Sequence, residues 1–217
     1  MRVVAFSDSH GRHGGMLLPD GDLLICAGDF TVDGRLEDVS GFLYWLKEQA
    51  VRYRHGAILI AGNHECAADP RHRWFDARVR DLLMASCGPV RYLEDDSVTV
   101  AGYNIYGMPW TPKFNDWAFM EEAGAAMKAR CGDIPRDTDI LVTHGPPRGI
   151  LDAGLGCDDL RRRLPDLTKL RLHIFGHVHS GSGVSVTDQS THVNAAVLDD
   201  AYRLVRGPRV LDLPDIQ

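Results

Sequence analysis

The sequence predicts an α/β protein in which two β-sheets pack together and helices flank them. Three observations predict it. Five short apolar runs, residues 3–7, 23–27, 57–61, 140–143 and 170–175, have the look of strands buried on both faces. The early runs alternate with segments of helical periodicity. The later ones cluster, at 184–186, 192–197 and 210–213, which argues for a second sheet rather than one doubly wound sheet.

Along the chain, 3–7 and 23–27 come first, followed by a helix marked by Val39, Phe42, Leu43, Leu46 and Ala50 at helical spacing. After the strand at 57–61, residues 74–85 read as a second helix. Residues 98–100 and 104–106 flank Ala101-Gly102 and read as a hairpin. A third helix is expected over 118–130, rich in Ala, Met and Glu, and a short fourth over 157–164. With 217 residues, no repeat and no Pro/Gly/Ser-rich linker, one domain over 1–217 is expected. An apolar fraction of 44% excludes a disordered chain.

No unbroken apolar run exceeds five residues, and a bilayer-spanning helix needs about 20, so no membrane partner is expected. Met1-Arg2 runs straight into a strand with no signal-peptide pattern, and the five cysteines form no CxxC pair, which together point to a reducing cytoplasm. The net charge of −6 argues against an extended nucleic-acid surface. Oligomeric state is not legible.

The chemistry is concentrated where the buried strands end. They run in turn into Asp8-Ser9-His10, Gly28-Asp29, Gly62-Asn63-His64-Glu65, His144-Gly145 and Gly176-His177-Val178-His179. Singly, Asp8 reads as a helix cap, Gly28-Asp29 as a turn and His144 as a loop histidine. Together, five carboxyl ends that each deliver Asp, Asn or His mark a metal site at the sheet edge where ligands bind in layered α/β folds. The i, i+2 pair His177 and His179 sends both imidazoles to one side of an extended segment. Imidazole, carboxylate and amide donors without thiolate favour Mn, Fe, Zn, Co or Ni over Ca. Seven candidates, Asp8, His10, Asp29, Asn63, His144, His177 and His179, exceed one tetrahedral ion and suit two ions sharing a carboxylate.

These motifs, in this order, resemble the five motifs of the calcineurin-like metallophosphoesterase superfamily. Tyr106-Gly-Met-Pro-Trp110-Thr-Pro-Lys-Phe-Asn115-Asp-Trp117, Thr143-His-Gly-Pro-Pro147 and His173-Ile-Phe-Gly-His-Val-His179 are similar to the metallophosphoesterase-domain-containing subgroup, itself similar to class III cyclic nucleotide phosphodiesterases. The resemblance implies a four-layer αββα sandwich. It implies two divalent ions, manganese first: one on Asp8, His10 and His179, one on Asn63, His144 and His177, with Asp29 bridging. Some animal members carry Gly at the position of His177, so the present chain has the full set.

Two cations lower the pKa of a bridging water and neutralise phosphoryl charge, so hydrolysis of a small phosphodiester such as a cyclic nucleotide is expected. His64 is the expected catalytic residue, stabilising phosphate charge or protonating the leaving oxygen, and Asn63, His64 and Arg148 are candidate substrate contacts. For Arg148 a solvated loop arginine is the competing reading, and Trp110, Phe114, Asn115 and Trp117 read equally as a base pocket or as core. His173 reads as a core or supporting histidine, Cys66 as a small buried hydrophobe and Arg161–Arg163 as a solvated face. Competing functions are a phosphomonoesterase or nuclease on the same site, and a nucleotide-binding sensor without turnover.

Overall fold

A computed structural model describes residues 1–86, 88–214 and 216. The elements, in chain order, are β1 (Arg2–Phe6), β2 (Leu23–Ala27), α1 (Leu36–Ala50), β3 (Ala57–Ile60), α2 (Ala77–Met84), β4 (Val90–Tyr92), β5 (Asp96–Val100), β6 (Tyr103–Met108), β7 (Thr111–Pro112), β8 (Met120–Glu121), α3 (Ala125–Gly132), β9 (Ile140–Thr143), α4 (Asp158–Arg163), β10 (Leu172–Phe175), β11 (Gly183–Val186), β12 (Thr191–Asn194) and β13 (Arg209–Asp212).

One sheet has the order β13-β1-β2-β3-β4, parallel except for β13. The other has the order β11-β12-β10-β9-β6-β5, with a parallel centre and antiparallel edges β11 and β5. Strand alternation builds the layers. Val3, Ala5, Leu23, Ile25, Ile58 and Ile60 of the first sheet meet Ile105, Ile140, Val142, Leu172, Ile174 and Val193 of the second in one core between the sheets. The intervening residues, Val4, Phe6, Leu24, Cys26 and Leu59 on one side and Leu141 and Phe175 on the other, face outward into a second core shared with the helices. The product is the four-layer α/β/β/α arrangement of the metallophosphoesterase fold.

Helix α1 buries Val39, Phe42, Leu43, Leu46 and Ala50, the stripe read from the sequence, and Glu37 and Asp38 in its first turn favour its dipole. Each fully buried Phe or Leu of that stripe contributes about 1.5–3 kcal/mol. Asp76 caps α2 by accepting from the Arg78 amide, so α2 begins at Ala77 rather than at Trp74.

The expected helix over 118–130 is shorter than its composition suggests. Ala118 donates its amide to the Asn63 carbonyl and Phe119 donates to the Asp69 carboxylate, at 3.1 and 2.8 Å. These tertiary bonds keep the stretch out of the helix: Ala118-Phe119 bend, with Phe119 at φ 49°, β8 pairs with β7, and α3 starts only after Gly124. The run at 210–213 does not join the C-terminal strands; as β13 it pairs with β1 in the first sheet. Strand β4 was not visible in the sequence. Among the described residues, no helix is long and apolar enough to cross a membrane.

Candidate metal centre

The parallel strands β1, β2, β3, β9 and β10 bring their carboxyl ends to one edge, and the two sheets meet there. The Ser7 amide donates to the Ala195 carbonyl and the Val197 amide to the Ser7 carbonyl, joining the end of β1 to the segment after β12. Asp8, His10, Asp29 and His177 have left-handed backbone, with φ of 54°, 39°, 51° and 67°. Such conformations are costly in non-glycine residues and collect at functional sites. Two glycines make the close packing feasible. A β-carbon at Gly62 would run into the Asp29 carboxylate and the His144 ring, and one at Gly176 into the Asp8 carboxylate and the Ser7 hydroxyl.

All seven sequence-predicted ligand residues come together. Donor atoms of Asp8, His10 and His179 lie within 4.8 Å of one another, as do those of Asp29, His144 and His177. Asn63 joins the second group, its Oδ1 lying 2.9 Å from His144 Nε2 and 2.8 Å from His177 Nδ1. Asp29 stands between the groups, with Oδ2 3.2 Å from His144 Nε2 and 3.8 Å from His10 Nε2. On the far side, Asp8 Oδ1 lies 3.5 Å from His179 Nε2.

Three of the imidazoles are aimed by backbone carbonyls. His10 Nδ1 bonds to Thr31 O at 3.1 Å, His144 Nδ1 to Ala27 O at 2.9 Å and His179 Nδ1 to Asp199 O at 3.0 Å. A carbonyl can only accept, so each Nδ1 carries a proton, which leaves Nε2 as the atom each ring aims at the cluster. His10 Nε2 is buried and has no hydrogen-bond partner. An orphaned imidazole lone pair amid two carboxylates is what a divalent cation satisfies, so the residues fit two such ions.

The electrostatics agree. Burial acts to raise the Asp29 carboxyl, but His144, His64 and His10 hold it well below the ordinary range. Burial acts to lower His144, but Asp29 and Asp8 carry it up to about 9. Burial and the neighbouring His144 push His177 down to about 4.

His64 sits at the open side, half-buried. Its amide donates to Asp29 Oδ1 at 2.9 Å, and its Nδ1 bonds to Val32 O at 2.6 Å. Its ring stacks on Trp117 with centroids 4.2 Å apart and meets His10 edge-on at 4.5 Å. Trp117 is therefore the one aromatic of the 110–117 segment against the cluster. Trp110 is buried between the guanidinium groups of Arg71 and Arg130, at 4.3 and 3.9 Å, and donates to Asp95, while Phe114 is exposed. Arg148 is exposed, bonded to the Gly154 carbonyl and 3.6 Å from Asp158.

Two supporting residues went unassigned in the sequence. Glu65 is fully buried and accepts four hydrogen bonds: from the amides of Asp29, Thr31 and Gly62 and from the Thr31 hydroxyl, at 2.7–3.0 Å. It welds the turn after β2 to the turn after β3. Burial and then Asp29 nonetheless push its carboxyl up to about 8. Tyr202 lies edge-on to His10 and His179, at 4.9 and 5.3 Å, on the loop whose Asp199 carbonyl orients His179. Its distance from the last motif hid it: Tyr202 lies 23 positions after His179, and nothing local in the sequence links it to the site.

The calcineurin-like phosphoesterase family model matches residues 1–181. The human and mouse proteins named metallophosphoesterase domain-containing protein 1 are each 38% identical over 237 residues, covering 98% of this chain and 71% of their own. A Caenorhabditis elegans relative of the UPF0046 group is 31% identical over 235 residues, covering 99% of this chain and 81% of its own. A solved structure from Staphylococcus aureus, assigned as a 5'-nucleotidase, superposes with a TM-score of 0.53 at 14% identity; the match covers this whole chain and 54% of that one, and it speaks for the fold. By its family model, its relatives and its paired clusters of metal-binding side chains, the chain belongs to the calcineurin-like phosphoesterases, metal-dependent hydrolases of phosphoesters.

Proposed function

We propose that the protein is a dinuclear metal-dependent phosphodiesterase that hydrolyses cyclic nucleotides or similar small phosphodiesters. Asp8, His10 and His179 would hold one ion, Asn63, His144 and His177 the other, and Asp29 would serve both. Manganese suits this N/O donor set, as do Fe, Zn, Co and Ni. The observation that carries the reading is the meeting of two donor groups at one carboxylate, Asp29 Oδ2, 3.2 Å from His144 Nε2 and 3.8 Å from His10 Nε2. Bound there, the ions supply an activated water and neutralise charge on the phosphoryl oxygens.

The chain's own residues complete the chemistry. With the His64 Nδ1 proton committed to the Val32 carbonyl, the ring acts as an acid in its imidazolium form, and the proton that moves is the second one, on Nε2. His64 Nε2 delivers it to the leaving oxygen, and the stack on Trp117 keeps the ring in place. Trp117 and Tyr202 flank the cluster with aromatic surface suited to a nucleoside or aryl group. Net charge −6 disfavours a duplex substrate.

The test compares bis-p-nitrophenyl phosphate, p-nitrophenyl phosphate and 2′,3′- and 3′,5′-cyclic nucleotides with Mn present. Diesters should turn over, with moderate preference over the monoester. Turnover of the monoester alone would establish the phosphomonoesterase, and nucleotide binding without turnover the sensor.

A further inference from the structure

His173 on β10 and His192 on β12 belong to neither donor group, yet both are buried, at 0% and 2% exposure. They are register partners across the β10–β12 ladder, and their Nδ1 atoms lie 3.4 Å apart. The line of polar atoms continues in both directions. His173 Nε2 is 2.9 Å from Thr143 Oγ1, and the Thr143 hydroxyl is 2.7 Å from the Gly145 carbonyl. His192 Nε2 is 3.0 Å from Ser190 Oγ.

Proton placement along this line has one solution. The Gly145 carbonyl only accepts, so the single Thr143 proton points at it, and Thr143 Oγ1 accepts from His173 Nε2–H. Burial keeps both rings neutral, with His173 well below its ordinary range and His192 pushed down to about 4. A neutral His173 protonated on Nε2 has a bare Nδ1, so His192 donates to it from Nδ1. His192 Nε2 is then bare and accepts the Ser190 hydroxyl proton.

The relay ends at a functional turn. Thr143 closes β9, and His144 follows it. The His144 carbonyl accepts from the Gly176 amide at 2.9 Å, directly before His177, so the two turns share one hydrogen-bonded frame. We infer that His173, backed by His192, is a positioning residue for the His144 and His177 donor group: the chain Ser190→His192→His173→Thr143→Gly145 clamps the turn that presents His144. The inference rests on the dinuclear reading above.

Two measurements test it. Long-range ¹H–¹⁵N spectra of the wild-type protein should show His173 protonated on Nε2 and His192 on Nδ1, the less common tautomer; the opposite tautomers, or charged rings at pH 7, overturn the relay. Manganese titration of variants then tests its role. Thr143→Val and His173→Phe should weaken one of the two ions by about 10–100-fold, the usual effect of losing a group that orients a ligand, and leave the other within about twofold. His173→Gln, whose amide can both donate to Thr143 and accept from His192, should recover most of the loss. Equal weakening of both ions, or no recovery in His173→Gln, overturns the positioning role. A wild-type stoichiometry of one ion overturns the dinuclear reading and this role with it, while the tautomers still decide the relay.

Discussion

His64 reaches to within 4.8 Å of donor atoms of His10 and Asp29, and three restraints fix its ring. The Val32 carbonyl takes Nδ1, Trp117 covers one face and His10 meets the ring edge-on. In the proposed reaction its role is tied to Nε2 and to the reacting phosphate. His64→Ala should lower kcat by about 10²–10⁴, the span of general acid–base groups, with metal content by elemental analysis unchanged. Loss of an ion alongside the activity would place His64 among the ligands. Asp29 should behave in the opposite way. Because it faces both His10 and His144, Asp29→Ala should reduce the content of both ions, whereas His179→Ala should reduce mainly one. Inductively coupled plasma measurements after saturation with Mn would distinguish the two patterns.

At the level of elements, the strand-end turns are held by buried polar groups, and these set the cost of disturbing them. Glu65 ties the turns after β2 and β3 through four donors. In Glu65→Gln at least one backbone N–H must face an NH₂ group. Leaving that donor unsatisfied costs about 1–3 kcal/mol. The melting temperature should then fall by roughly 2–12 °C, given about 2–4 °C per kcal/mol at this chain length. The His173–His192 pair predicts a pH effect in the second sheet. His192 is pushed from an ordinary value near 6.5 down to about 4 by burial and then by Arg161, and burial and His192 take His173 well below 6.5. Rings with lowered folded-state values bind fewer protons than the unfolded chain, so their contribution is complete above about pH 6.5 and declines as pH falls toward 4. Melting curves in EDTA should show a shallower loss between pH 6.5 and 4 in His192→Gln than in wild type. Parallel pH profiles would contradict this.

For the whole molecule, the donor groups come from both sheets: Asp8, Asp29 and Asn63 follow strands of the first, and His144, His177 and His179 follow strands of the second. Ions bound at this edge therefore cross-link the two layers. A ligand that binds only the folded state stabilises by about 4 kcal/mol at a concentration a thousandfold above its Kd. EDTA should lower the melting temperature and Mn should restore it, with little response in Asp29→Ala. An unchanged melting temperature on chelation in the wild-type protein would rule out that cross-link.

The sequence alone determined the five buried strands, the residues at their ends and the chemistry of the donor set. Buried parallel strands are short-range patterns, and Asp, Asn and His at five successive strand ends leave a signature needing no coordinates. The stripe of α1 was legible for the same reason: one periodicity specifies one buried face. Tertiary structure decided whatever depends on partners distant in the chain. Residues 118–124 have helical composition but form a bend, a short strand and a turn, because the Asn63 carbonyl and the Asp69 carboxylate claim the amides of Ala118 and Phe119. Trp110 and Trp117 are alike in sequence; one is sealed between Arg71 and Arg130, and the other lies on His64. Tyr202 reaches His10 across almost the whole chain, and β13 returns to pair with β1. Local pattern records the face a residue turns inward, but the neighbour it meets there is chosen only when the layers close.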